Sequence, residues 1–205
     1  MKVFKNGLIT GLVLQMAIGP VFFYIVNLTL QKTIFDGLAG VIGVTLADYF
    51  YITLAIIGIG KLLEHKKVKK IFGIISSVVL VIFGLIMIKG ILNNNINTNN
   101  IVNSANIFSS FISVFILTFS SPLTIIMWTS LFAAKTVENN YSKKELFIFG
   151  FSTGLATFIF MGFSIVLFSF LKGSIPIILI KILNVIVGCL IAGYGAIGLV
   201  KMVKK

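Results

Sequence analysis

The feature that most limits the folds open to this chain is an apolar stretch of 24 residues, 37–60, that contains one ionisable side chain. A helix of this length crosses the hydrocarbon of a bilayer, which needs about 20 residues. The ionisable side chain is Asp48, close to the middle of the stretch. Because a carboxylate at the bilayer centre is energetically expensive, we expect Asp48 to face a protein or water-filled interior and to have a function there.

Five further apolar runs bring the number of predicted membrane spans to six. The chain is 58% hydrophobic and 11% charged, which is far more apolar than a soluble domain of its size. No run shows the ten-residue alternation of an outer-membrane strand, so we predict an all-α integral membrane protein. The predicted spans are 7–31, 37–60, 71–88, 107–134, 146–171 and 175–200.

An Asn-rich segment divides the predicted spans into two halves. Residues 93–106 contain eight asparagines and no charge, so we predict an external loop between a first three-helix repeat, 1–92, and a second, 107–205. Pro20 and Pro122 interrupt helices 1 and 4 near their middles. Because each half has an odd number of spans, the second repeat is inverted in the membrane, and broken helices in such repeats commonly form a substrate site at the midplane.

The lysines predict the orientation of the chain. With six spans, thirteen of the 17 lysines fall on one side of the membrane, and the chain has no arginine. The positive-inside rule therefore places both termini in the cytoplasm. Topology also accounts for the net charge of +12 without a nucleic-acid partner, and the same lysines attract anionic membrane lipid.

The scarcity of reactive side chains argues against cofactor chemistry. Cys189 is the single cysteine and His65 the single histidine, so we expect no disulfide, no metal centre and no cofactor. A membrane-embedded hydrolase needs a nucleophile with a base, and the sequence offers no second intramembrane acid to pair with Asp48. An enzyme is therefore a weak alternative. A passive channel also stays open, although a lone carboxylate between two broken helices suits alternating access better.

Several segments together resemble a family of transporters. Residues 15–20 read Gln-Met-Ala-Ile-Gly-Pro, a glycine-rich helix with Asp48 follows, and Ser121-Pro122 precedes Trp128. This arrangement resembles the lysine exporter (LysE/RhtB) family of amino-acid efflux transporters along nearly the whole chain. The sequence departs from the commoner pattern at Ile18, where many members have proline, and at Ser121, where many have asparagine.

The resemblance implies proton-driven efflux of an amino acid or a close derivative across the bacterial cytoplasmic membrane, and no enzymatic activity. The implied partners are the small-molecule substrate, protons and membrane lipid, and homo-oligomerisation stays open. The alternative within the same superfamily is a divalent-metal exporter of the cadmium type. Such an exporter would want more histidine, cysteine or carboxylate ligands than one aspartate.

The residues at the predicted midplane suit amino-acid transport. The breaks at Gly19-Pro20 and Ser121-Pro122 expose amide donors and the positive ends of half-helix dipoles, which favour a substrate carboxylate. Asp48 can hold the ammonium group when it is ionised, and burial should raise its proton affinity enough for a proton to compete. A single intramembrane acid favours a neutral amino acid over a dicationic one.

Two further side chains are candidates for the same site. Gln15 lies one turn before the first break, where it can reach the cavity or hydrogen-bond a neighbouring helix. Thr45 lies one turn from Asp48, and its hydroxyl can donate either to that carboxylate or to its own helix. The predicted substrate and proton site therefore comprises Gln15, Gly19, Pro20, Thr45, Asp48, Ser121 and Pro122.

Overall fold

The computed structural model describes residues 1–58, 66–92 and 106–203, and these ranges are helical with no strand. A short 3-10 turn, Lys172–Ser174, joins the last two of the eight α-helices found in these ranges. The prediction of an all-α chain is confirmed. The helices are α1 Lys2–Gln15, α2 Pro20–Gln31, α3 Ile34–Ile57, α4 Lys66–Leu92, α5 Ile107–Phe119, α6 Pro122–Asn139, α7 Lys143–Leu171 and α8 Ile177–Val203.

Both predicted proline breaks are present. α1 and α2 meet at a bend of 78°, and α5 and α6 meet at a bend of 61°. α2 begins at Pro20 and α6 begins at Pro122, because proline fits the first turn of a helix, where its missing N–H is not needed. Each break therefore replaces one straight helix with two half-helices.

The helices differ in how their first amide groups are satisfied. The Thr33 side chain accepts from the Asp36 N–H at the start of α3, and the Ser142 side chain accepts from the Glu145 N–H at the start of α7. α5 has the same kind of cap from Asn106. These side chains satisfy donors that the first turn leaves unpaired. The half-helices α2 and α6 have no side-chain cap.

Helices of the two halves pack in matching pairs. α4 packs along α8, α3 packs along α7, and α1 contacts α7 as α5 contacts α3. Glycines allow the last two contacts: a Cβ at Gly11 would lie 2.8 Å from the Thr153 carbonyl oxygen, and one at Gly43 would lie 2.8 Å from the Phe111 carbonyl oxygen. Small residues of this kind let helix backbones approach closely in membrane proteins. α3 and α7 are therefore the central helices.

Two apolar clusters lie along α3 on either side of Asp48. One forms among α2, α3, α5 and α7, and α3 contributes Val44 to it. The other forms among α3, α6 and α7, with Tyr51 from α3 packed near Trp128 and Phe132. Asp48 lies between Val44 and Tyr51 along α3, so the fold places the carboxylate between two packed apolar regions.

The described residues support three to five membrane crossings by length and composition. Three helical segments qualify singly, Ile34–Ile57, Lys143–Ser174 and Lys181–Lys201, and each bent pair adds one. The predicted span 71–88 lies within α4, Lys66–Leu92. The count of six, the inverted repeats and their boundaries remain predictions. Most of the Asn-rich loop, 93–105, lies outside the described residues.

Candidate functional site

Asp48 is a buried carboxylate that joins three helices. Its side chain is on α3 and the residue is 5% exposed. Trp128 Nε1 of α6 donates to Oδ1 over 3.1 Å, and Thr157 Oγ1 of α7 donates to Oδ2 over 3.1 Å. Both donors are themselves buried. Each carboxylate oxygen therefore accepts one hydrogen bond from the second half of the chain, which stabilises the ionised form.

Gln15 extends this network to the first broken helix. Its Nε2 donates to Thr157 Oγ1 over 2.7 Å, so the Thr157 hydroxyl accepts from Gln15 while it donates to Asp48. Gln15 is the last residue of α1, immediately before the break. A continuous chain of hydrogen bonds therefore runs from the end of a half-helix to the buried carboxylate.

The two breaks present uncapped helix N-termini. Gly19 precedes α2 and Ser121 precedes α6, and neither half-helix has a hydrogen bond from a capping side chain. A Cβ placed on Gly19 would meet nothing within 4 Å, so there is open space beside the first break. Unpaired amides and the positive end of a helix dipole favour an anion at such a position.

Thr45 does not take part in the network around Asp48. Its hydroxyl donates to the Val41 carbonyl oxygen of its own helix over 2.7 Å. This is the second of the two arrangements that the sequence allows, and threonine commonly adopts it inside helices. The structure thus brings Gln15 and Asp48 together through Thr157 and leaves Thr45 outside.

Sequence reasoning missed the two donors to Asp48. Trp128 contributes to the family resemblance, but nothing in the sequence marks it as a partner of Asp48, and Thr157 has no local pattern that singles it out. An internal signal does exist for Thr157. It lies 109 residues after Asp48. Thr33 and Ser142, the residues that cap α3 and α7, have the same separation. Asp48 and Thr157 therefore occupy equivalent positions in two similarly capped helices.

A second buried carboxylate was also missed. Asp36 stands at the edge of an apolar run in the sequence, yet it is 0% exposed in the first turn of α3. Asp36 is therefore a buried acid that the sequence did not identify as one. Asp36 precedes Asp48 by twelve residues. That spacing is about 18 Å along a helix axis, so the two carboxylates do not contact each other.

The arrangement can bind a proton or a cation at Asp48 and an anion at the helix breaks. No group of three or more His, Cys, Asp or Glu side chains in the described part of the chain is placed to hold a metal ion.

Comparison with known proteins adds a family. Residues 12–201 match the family described as LysE type translocator. This range includes both breaks, Asp48, Trp128 and Thr157. The chain has no match among curated proteins and none among solved structures.

Proposed function

Since the chain belongs to the LysE type translocator family, and is therefore a multi-pass membrane transporter, we propose that it exports an amino acid or a close derivative, driven by proton entry. The membrane is the bacterial cytoplasmic membrane. The observation that carries the proposal is the placement of Asp48, a buried carboxylate that two helices of the second half hold and that Gln15 and Thr157 connect to a broken helix.

Asp48 alternates between a proton and the ammonium group of the substrate. Its two oxygens differ in what they can accept. Oδ1 faces the Trp128 N–H, which can only donate, so this oxygen remains an acceptor. Oδ2 faces the Thr157 hydroxyl, which can either donate or accept. Oδ2 is therefore the atom that takes the proton.

Protonation changes the link between Asp48 and the first break. When Oδ2 carries a proton, the Thr157 hydroxyl accepts from it and turns its own hydrogen away. Threonines in this fold make such a bond to the preceding turn of their own helix, as Thr45 does to Val41. Because Gln15 also bonds to the Thr157 hydroxyl, the change reaches the end of α1. This connection couples proton binding to the broken helix.

The carboxylate of the substrate binds at the breaks. The uncapped starts of α2 and α6 support this assignment, because both lie inside the chain at a helix break. The uncapped amides after Gly19 and Ser121 are free to receive an anion. Ammonium and carboxylate groups of one amino acid then have separate partners in the two halves.

The repeat architecture makes alternating access at this site natural. We propose six spans, in which each bent pair counts as one and α3, α4, α7 and α8 are the others. The matching caps of α3 and α7 and the pairing of α3 with α7 and α4 with α8 support two inverted repeats. The distribution of lysines supports both termini in the cytoplasm.

A neutral amino acid is the substrate class that the site favours. A basic side chain in the substrate would need a second anionic partner near Asp48. The other buried carboxylate, Asp36, is too far along α3 to supply it.

The test is efflux from cells preloaded with a mixture of labelled amino acids. We compare native protein, Asp48→Asn and Glu138→Gln at matched membrane levels, with and without an uncoupler. Glu138 is the control acid, because it is exposed and is not part of the site. Its carboxylate forms an ion pair with Lys135 over a distance of 3.0 Å. We expect native and Glu138→Gln cells to lose one amino acid faster than empty cells, and expect Asp48→Asn or the uncoupler to abolish the difference.

Two results would contradict the proposal. One is an Asp48→Asn protein that still exports against a gradient when a proton gradient is imposed. The other is the absence of faster loss of any amino acid in native cells. In that second case, efflux of divalent cadmium is measured with the same three proteins.

A further inference from the structure

A second polar cluster surrounds the other buried carboxylate of α3. Asp36 Oδ2 accepts from the Thr33 hydroxyl over 2.6 Å, and Oδ1 accepts from the Ser110 hydroxyl over 2.7 Å. Two ammonium groups sit at the edge of these oxygens. Lys32 Nζ donates to Ser110 Oγ over 3.4 Å, and Lys172 Nζ donates to the Lys32 carbonyl oxygen. We call these five residues the Asp36 cluster.

The lysines balance the Asp36 charge only indirectly. The one ion pair among the described residues is Lys135 with Glu138, so neither lysine of the cluster lies within ion-pair distance of the carboxylate. A carboxylate that is fully buried without a direct cation is costly, and neutral hydroxyl donors offset only part of that cost. The oxygens of Asp36, Ser110 and Lys32 therefore form a set of acceptors that favours an ammonium group.

The cluster also joins the elements that would have to separate at this end of the protein. Lys32 follows α2, Asp36 lies in the first turn of α3, Ser110 lies in α5, and Lys172 follows α7. α2 and α5 are each one half of a broken helix. These contacts tie the four elements together at the N-terminal end of α3.

We propose that the Asp36 cluster is a primary-ammonium site that closes this end of the transporter. Lys32 and Lys172 fill the site with ammonium groups of the chain itself. The ammonium group of a departing substrate binds the Asp36 oxygens and displaces Lys32 from Ser110 and Lys172 from the Lys32 carbonyl oxygen. The elements α2, α5 and the end of α7 then separate. This inference rests on the proposed export of an amine-bearing substrate, but its test does not measure export.

The test reads opening of the cluster through a single cysteine. Ser113→Cys, one turn beyond Ser110 on α5, is placed in a Cys189→Ser background, and a membrane-impermeant maleimide is applied to vesicles of both orientations. Methylammonium is the probe, and tetramethylammonium is its control because it has the same charge and no N–H donor. The double variant Lys32→Met/Lys172→Met removes both lysines of the cluster. Its matched control is the double variant Lys89→Met/Lys181→Met, which removes two lysines elsewhere.

We expect slow labelling that methylammonium accelerates and tetramethylammonium does not. Lys32→Met with Lys172→Met should label about tenfold faster without any amine, as loss of a charge-assisted hydrogen bond predicts, while the control pair should not. Asp36→Asn should lose the response to methylammonium. Should Asp36→Asn fail to purify as a single species, Ser110→Ala takes its place, with faster basal labelling and a retained response.

The inference is overturned when methylammonium leaves the labelling rate of Ser113→Cys with the native cluster unchanged. It is also overturned when the two double lysine variants are labelled at equal rates. Efflux measured in parallel separates the two proposals. Efflux that depends on Asp48 without any labelling response refutes the Asp36 cluster alone. A labelling response without efflux of any amino acid refutes the proposed function alone.

Discussion

The two hydrogen bonds to Asp48 have equal lengths but different chemical freedom. Trp128 offers an indole N–H that has no acceptor counterpart, whereas Thr157 offers a hydroxyl that can reverse its role. The first bond fixes the orientation of the carboxylate, and the second can follow its protonation. The side chain that tests the mechanism most directly is therefore Thr157.

Thr157→Val should slow efflux strongly. Valine keeps the shape of threonine but removes both the donor to Asp48 and the acceptor for Gln15. A hydrogen bond to a charged group contributes about 1.5–3 kcal/mol, so the initial efflux rate should fall by about tenfold to a hundredfold. Thr157→Ser keeps the hydroxyl and should stay within a few-fold of native. A valine variant that exports at the native rate would rule out the relay through Thr157.

For individual residues, the sequence identifies Asp48, whose burial is energetically costly, but not the residues that hydrogen-bond to it. Asp48 can be recognised from sequence because a charge inside an apolar stretch has few structural explanations. Trp128 and Thr157 follow from how α6 and α7 are rotated against α3, and no local pattern records that rotation. Asp36 is missed for a related reason, since it is buried against Ser110, which comes from a distant part of the chain.

Among the elements, the closest approach between α3 and α5 gives a stability prediction. A Cβ at Gly43 would lie 2.8 Å from the Phe111 carbonyl oxygen, so Gly43→Ala must push the helices apart. Overpacking of this kind costs about 1–3 kcal/mol, which should lower Tm in detergent by a few degrees. Gly162→Ala is the matched control, because its Cβ would meet nothing within 4 Å. Equal Tm values for the two variants would contradict the tight contact.

Element boundaries follow from sequence where a single residue dictates the backbone. Proline cannot continue the hydrogen bonds of the preceding turn, so Pro20 and Pro122 locate both breaks. The bend angles cannot be obtained in this way, because they depend on what α2 and α6 pack against. The span predicted at 71–88 lies inside α4, which extends beyond it at both ends, since hydropathy alone does not locate helix ends.

For the whole molecule, the orientation of α7 distinguishes the proposed topology from its reverse. Asn139 and Gly173 are exposed and lie near opposite ends of α7. In the Cys189→Ser background, Gly173→Cys should react with an impermeant thiol reagent applied to intact cells, because the lysine distribution puts that end outside. Asn139→Cys should react only after permeabilisation. Labelling of both cysteines in intact cells, or the reverse pattern, would contradict the topology.

The equivalence of Asp48 and Thr157 limits the concentration ratio that the proposed transporter can sustain. Of the two matched positions, one carries a carboxylate and the other a hydroxyl that cannot bind a second proton at physiological pH. In the proposed cycle, Asp48 carries one proton inward for each neutral substrate exported, so one elementary charge moves per cycle. Each 100 mV of proton-motive force supplies about 2.3 kcal/mol per charge, which sustains an outward concentration ratio of about fiftyfold.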